Sequence, residues 1–420
     1  MVSILMARDA YDRKWNSIGP MVLVGLLGFA TCTSFVRDAW AVQAFQIGAF
    51  AMLAICLVTL KTLAIRRVSL LVPAILLCGA PFWGLAQISM GRTASIAQTL
   101  EAVLRWGGLV AVFLIARLLT RRVEQRERFL EGFVWFATAM SVLSLTQMFS
   151  SEGKVLWMFD SGYPSVFGTI AYHNHYAQFV ELALPVALWR ALFERRRWWA
   201  YAVAGGALYA SVIGCASRAG TILCTLELVV LIVVGLMRFR GAVAGSAGAR
   251  FLNLPSRKAA VTLALVPLAA SVFTLVVGWE RVWQRFQEQD PFAVRREFLN
   301  AAVDMARHRP MTGYGLGTFP AVYQSYAVVD FPFIANQAHN DWAQFGAEGG
   351  IPFLLLILIP FLRVVPWTFR YTASLGITAV MLHACVDYPF PKPAVAGWLF
   401  GMLGMLYAAL DEPVGSEVRY

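Results

Sequence analysis

Long apolar runs alternate with short polar stretches along this chain, at roughly 18–36, 42–60, 68–89, 103–119, 129–149, 175–193, 198–214, 220–237, 259–278, 351–365, 371–386 and 394–410. A helix in a soluble core is apolar along one stripe, whereas a lipid-facing helix is apolar all round and needs about 20 such residues to cross the hydrocarbon. The runs are of the second kind and predict twelve transmembrane helices. The first run follows a short basic segment, Arg8 to Lys14, as a secretory signal would. Eleven further spans make an uncleaved first helix the simpler reading. The pattern divides the chain into nine helices over 1–278, one long outer loop over 279–350, and three helices with a cytoplasmic tail over 351–420.

Composition agrees with this all-α polytopic reading. Hydrophobic residues make up 59% of the 420 positions and charged residues 14%, where an ordinary soluble domain has about a quarter charged. Mean hydropathy is +0.63. The net charge of +11 raises the question of nucleic acid, and the positions of the basic residues answer it. With the N-terminus in the cytoplasm, 23 of the 35 Lys and Arg fall in cytoplasmic segments, among them Lys61 to Arg67, Arg117 to Arg128 and Arg195 to Arg197. Six of the remainder lie in the long loop, and long loops report orientation poorly. The basic excess is therefore a topology signal and not a nucleic-acid surface.

The six cysteines lie in or at the edges of apolar runs without a Cys-x-x-Cys pair, and the five histidines include no His-Glu-x-x-His pair. Neither a disulfide framework nor a bound metal is indicated. The cytoplasmic linkers are arginine-rich turns plus a Gly/Ala/Ser stretch from Gly241 to Ala249, with no nucleotide-binding signature. Chemistry, if there is any, belongs outside. His173, His175, His308 and His339 all fall there.

Within the long loop, Arg295 to His308 places Phe298, Ala302, Met305 and Ala306 at helical spacing, which predicts an amphipathic helix on the membrane surface or packed on the bundle. Pro310 ends it, and Gly313-Tyr-Gly-Leu-Gly317 reads as a hinge, since it follows a helix and lacks the full dinucleotide pattern. His339 stands just before or in the first turn of a helix that enters the membrane.

Four segments resemble the bacterial O-antigen ligase and O-antigen polymerase superfamily. Phe167-Gly-Thr-Ile-Ala-Tyr-His-Asn-His-Tyr-Ala177 is like that family's glycine followed by an asparagine- and histidine-bearing helix start. Ser217-Arg218-Ala-Gly220 is like its Ser-Arg-Gly/Ala-Gly turn. Arg295, followed by Pro310-Met-Thr-Gly-Tyr-Gly-Leu-Gly-Thr-Phe319, is like its arginine helix and proline-glycine segment. His339-Asn340, then nine residues, then Gly350, is like the ligase histidine motif. That motif usually ends in Gly, Thr or Tyr three residues after its glycine; here Phe353 stands there, and ligase and polymerase both stay open.

The resemblance implies a C-type glycosyltransferase in the bacterial inner membrane. It would take a glycan from a polyprenyl (undecaprenyl) diphosphate carrier in the periplasm, using no nucleotide sugar, cofactor or metal. The acceptor would be lipid A-core or another glycan acceptor, or, in a polymerase, a further lipid-linked repeat. Such a reaction needs cations to hold the diphosphate, and arginine suits this through its permanent charge and forked donors. Arg218, between two apolar spans at the outer membrane edge, and Arg295, preferred to Arg296 on the family spacing to Pro310, are the candidates. The acceptor hydroxyl needs a base or an orienting hydrogen bond, for which His339 is the choice. Asn340, His173, Asn174 and His175 are further candidate substrate contacts, although asparagine at a helix start is often an N-cap. The competing class is a transporter or flippase, supported by Glu227 inside the eighth span. Against it stand the long arginine-bearing outer loop and the absence of an evident inverted repeat.

Overall fold

The computed structural model describes residues 18–60, 71–162, 166–194, 196–243, 293–329 and 335–411, with four isolated helical positions between 268 and 275. The basic segment Arg8 to Lys14, Lys61 to Arg67, Arg195, Ala244 to Ala249, the rest of the run at 259–278, loop residues 279–292 and Arg419 lie outside the described residues.

Among the described residues, helices occupy eleven of the twelve predicted runs. In chain order they are α1 (Ile18–Cys32), α2 (Ala39–Leu60), α3 (Leu71–Ser89), α4 (Ile96–Leu119), α5 (Val123–Ser150), α6 (His173–Phe193), α7 (Trp198–Cys215) and α8 (Arg218–Val243). After these come the loop helix α9 (Ala293–His308) and then α10 (Asp341–Leu362), α11 (Thr372–His383) and α12 (Pro393–Leu410). Eight of these are long and apolar enough to cross a membrane. The chain is an all-α polytopic membrane protein. Among the described residues, extended pairing is limited to a short hairpin of β1 (Lys154–Val155) and β2 (Phe159–Asp160) and an isolated bridge between Phe167 and Ile170.

Burial separates inner from outer helices. The span of α12 is 89% buried and that of α2 only 28%, so α12 sits inside the bundle and α2 turns Ile47, Ile55 and Val58 toward lipid. α6 is buried from Asn174 through Leu188 and packs against α5, α7, α8, α11 and α12. The basic turns are tied down at one end. Buried Arg126 donates to the Thr120 and Arg121 carbonyls at 3.2 and 2.8 Å, closing the α4–α5 turn, and Arg117 pairs with Asp411 at 2.7 Å.

The predicted face of α9 is present. Phe298, Ala302 and Met305 are buried, with Ala301 beside them, and the helix packs on the first half of α10. That half, Asp341 to Gly349, continues into the span with a break at Gly350, whose φ of 68° and ψ of −176° are open essentially to glycine. A Cβ there would meet the Pro310 and Met311 backbone at 2.7 Å. The break frees carbonyls that the glycine-rich turn takes up. Tyr314 N–H donates to Ala347 at 3.1 Å and Gly315 N–H to Glu348 at 2.9 Å, while Gly349 accepts from Trp83 of α3. The Glu348 carboxylate accepts from the N–H groups of Gly317 and Phe319 at 2.7 and 3.2 Å. The Gly313–Gly317 turn thus docks the outer loop onto the bundle.

Candidate active site

Three helix ends and one short connection converge at one end of the bundle. The connection runs from Ala384 to Lys392 between α11 and α12, and the helix ends are the starts of α6, α8 and α10. α10 is stitched to the connection by its own cap. Asn340 accepts from Ala343 N–H at 3.0 Å as N-cap and donates to the Cys385 carbonyl at 2.7 Å. Asp341 N–H donates to the Ala384 carbonyl at 3.0 Å, and Phe390 N–H donates to the Asp341 carboxylate at 3.0 Å. The Asn340 amide is thereby occupied in capping and bridging.

One residue earlier, His339 takes φ of 52°, a left-handed conformation uncommon for residues other than glycine. Strained backbone of this kind persists where the surroundings over-determine it. Here Gln344 fixes the preceding Ala338 N–H at 2.8 Å, and the following Asn340 is held by its bonds to Ala343 and Cys385. The imidazole lies along Phe298 and edge-on to Tyr388. Its Nδ1 is buried, without a hydrogen bond, 3.7 Å from Asp387 Oδ1.

Asp387 is the hub of the cluster. It is fully buried and accepts hydrogen bonds from the Asn174 amide and from the Tyr172 hydroxyl, the latter at 3.2 Å. The Arg295 guanidinium lies 3.7 Å away and also donates to the Tyr172 hydroxyl at 3.1 Å and the Val386 carbonyl at 3.0 Å. These two bonds leave other guanidinium donors for a ligand. Burial alone would push the Asp387 carboxyl up. The adjoining His339 imidazole, His175 and the Arg295 guanidinium outweigh it and hold the group well below the usual carboxylate range. Burial and then the Asp387 charge push the Tyr172 phenol up, so Tyr172 serves as a donor and not as a base.

α8 joins through its first turn. Ser217 Oγ donates to Asn174 Oδ1 at 2.7 Å and accepts from Gly220 N–H at 3.2 Å. A Cβ on Gly220 would meet the Ala177 Cβ at 2.3 Å, so the glycine of Ser-Arg-Ala-Gly sets how closely α8 approaches α6. Half-buried Arg218 opens α8 one residue past Ser217.

The candidates therefore divide. His339, Arg295 and Asn174 meet at Asp387. His175 is buried with its ring edge-on to Tyr172 and Tyr388, and half-buried His173 lies beside Tyr172 at 4.7 Å between centroids. Arg218 adjoins the cluster through Ser217. Arg296 is exposed on α9. His308 lies at the far end of that helix, near Tyr326. The sequence reading passed over Asp387, Tyr172 and Tyr388. The available signal was weak: Asp387 is the sole carboxylate in the last outer segment. Phe353 is fully buried in an aromatic nest with Trp106 and Phe345. Glu181, in α6, pairs with His383 at 2.7 Å inside the bundle.

Residues 200–358 match the family model described as O-antigen ligase. No curated protein matches the chain. The matched stretch contains Ser217-Arg218, Arg295, the Pro310–Phe319 turn and His339, while Tyr172, Asn174 and Asp387 lie outside it. Over the stretch that holds Arg218, Arg295 and His339, the chain is similar to the O-antigen ligase family.

Proposed function

We propose that this protein is a glycosyltransferase of the O-antigen ligase type. It moves a glycan from a polyprenyl diphosphate carrier to an acceptor hydroxyl, with its site on the periplasmic face of the bacterial inner membrane. The observation that carries this is the grouping of Arg295, His339 and Asp387 at the start of α10, with Arg218 one residue from the Ser217–Asn174–Asp387 chain.

In this reading Arg218 and Arg295 hold the diphosphate and offset the charge that grows on it as the glycosyl bond breaks. The acceptor oxygen attacks the anomeric carbon, the carbon–oxygen bond to phosphate opens, and polyprenyl diphosphate leaves. The acceptor proton passes to His339 Nε2. Asp387, beside Nδ1, orients the ring and stabilises the imidazolium until the proton is lost to water. Arg295 keeps Asp387 paired throughout. The acceptor is lipid A-core or another terminal glycan for a ligase, and a second lipid-linked repeat for a polymerase. Because Phe353 is a packing residue, its departure from the family motif favours neither.

Each charge-assisted contact is worth about 1.5 to 3 kcal/mol, so Arg218→Ala is expected to lower transfer roughly tenfold or more. Arg218→Lys restores a charge without the fork and should rescue only part of it. Initial rates on purified, folded variants with a lipid-linked glycan donor measure this. Normal turnover by Arg218→Ala would remove the residue from the site.

A further inference from the structure

Behind the Asp387 cluster, the α1–α2 connection and the starts of α6 and α12 line a half-open cavity of about 420 Å³. Its wall toward the cluster is aromatic. The Tyr172 and Tyr388 rings stack at 5.9 Å, and His175 stands edge-on to both. Arg295, Arg218 and His339 do not line it. Its charged lining is Lys392 and Arg37, and among the described residues no carboxylate faces it. Apolar side chains of α1 and α2, such as Phe45, complete it on the membrane side.

Lys392 is the informative residue. Its side chain is exposed and lines the cavity. Burial first, then the Arg105 cation, lowers its pKa. Among the described residues no carboxylate pairs with it, and the charge that acts on it most strongly is another cation. Arg37 donates to the Ser161 carbonyl at 2.9 Å through one nitrogen, which leaves guanidinium donors for a ligand.

We propose that Lys392 and Arg37 form a second anion subsite, which takes the phosphate of a membrane lipid serving as acceptor. Its sugar crosses the Tyr172–Tyr388 wall toward His339. The phosphate has two sources. In a lipid-linked repeat it is a polyprenyl diphosphate, and in a phosphorylated glycolipid it is a sugar phosphate. The acceptor role rests on the glycosyltransferase reading; the anion site rests on the cavity alone.

Binding of two probes to the full-length protein in phosphatidylcholine nanodiscs tests this. The probes are farnesyl diphosphate and a diphosphorylated glucosamine-disaccharide lipid. Wild type is expected to bind an anion at two classes of site, one weakened by Arg218→Ala and the other by the double variant Lys392→Gln with Arg37→Gln. The double variant should lose about tenfold or more in affinity at its class, and Lys392→Arg should retain most of it. Loss for farnesyl diphosphate points to a lipid-linked repeat, and loss for the glycolipid points to a phosphorylated core. Unchanged affinity and stoichiometry for both probes in the folded double variant would overturn the subsite, as would equal occupancy by phosphatidylglycerol. If Lys392-dependent binding is present but no transfer occurs, the subsite stands and the glycosyltransferase reading fails.

Discussion

His339→Ala is expected to retain donor binding and lose transfer by about 10² to 10⁴, the contribution of direct proton transfer by a positioned side chain. The expectation rests on geometry. His339 is held in a left-handed backbone conformation with Nδ1 buried 3.7 Å from Asp387, which leaves Nε2 for the acceptor. His339→Gln separates two roles, since glutamine keeps a hydrogen bond but cannot take a full proton. A nearly active Gln variant would make His339 an orienting residue, and an active Ala variant would remove both roles. The pH profile adds a second readout, because transfer by a neutral imidazole falls as the ring protonates. Asp387 does not confuse the measurement. Its lowered folded value means that its contribution to stability is complete above its ordinary value near 3.8 and is lost only as pH falls through the folded value. From pH 5 to 8 it stays an anion. An acid limb that is present in wild type and missing from His339→Gln reports His339.

Asp387→Asn is expected to fold and to lower transfer by about 10²-fold or more, because the imidazolium that forms at His339 loses its neighbouring anion. Two further changes distinguish positioning from plain structure. The acid limb should move to lower pH, and anion affinity should rise, since a negative charge beside Arg295 has been removed. Asp387→Ala differs in kind. It leaves the Asn174 amide, the Tyr172 hydroxyl and Arg295 without their shared acceptor, and breaking a buried pair in this way costs about 3 to 5 kcal/mol. Thermal unfolding of the two detergent-solubilised variants, set beside their transfer rates, measures both effects. An Asn variant as active as wild type would reduce Asp387 to a scaffold.

Helix positions were legible because a lipid-facing segment announces itself locally. α2 and α8 are apolar on every side, and a sliding count of apolar residues finds them. α10 shows where that logic stops. Its first half, Asp341 to Gly349, is too polar to read as a span, so hydropathy begins the helix near 351. Yet the segment is helical, capped by Asn340 and broken only at Gly350. The site was legible where one residue carries both a charge and a place beside a membrane edge, as with Arg218, Arg295 and His339. Asp387 has no such local mark. Its role depends on Asn174 and Tyr172 from more than two hundred residues away, and only the packing of α6 against α11 and α12 brings them together. The cavity beside it is likewise tertiary, since Arg37 and Lys392 share no sequence context.

The most direct test supplies purified wild-type protein in detergent with a polyprenyl diphosphate-linked glycan and candidate acceptor lipids, then follows both the glycan and the freed carrier. Glycan should move onto an acceptor with release of one polyprenyl diphosphate for each transfer, although detergent leaves no compartments. Transfer to a core lipid would mark a ligase, and lengthening of a lipid-linked repeat would mark a polymerase. An intact donor with every acceptor, from a preparation that still carries lipid-linked glycan across reconstituted vesicles, would contradict glycosyl transfer and make the protein a flippase.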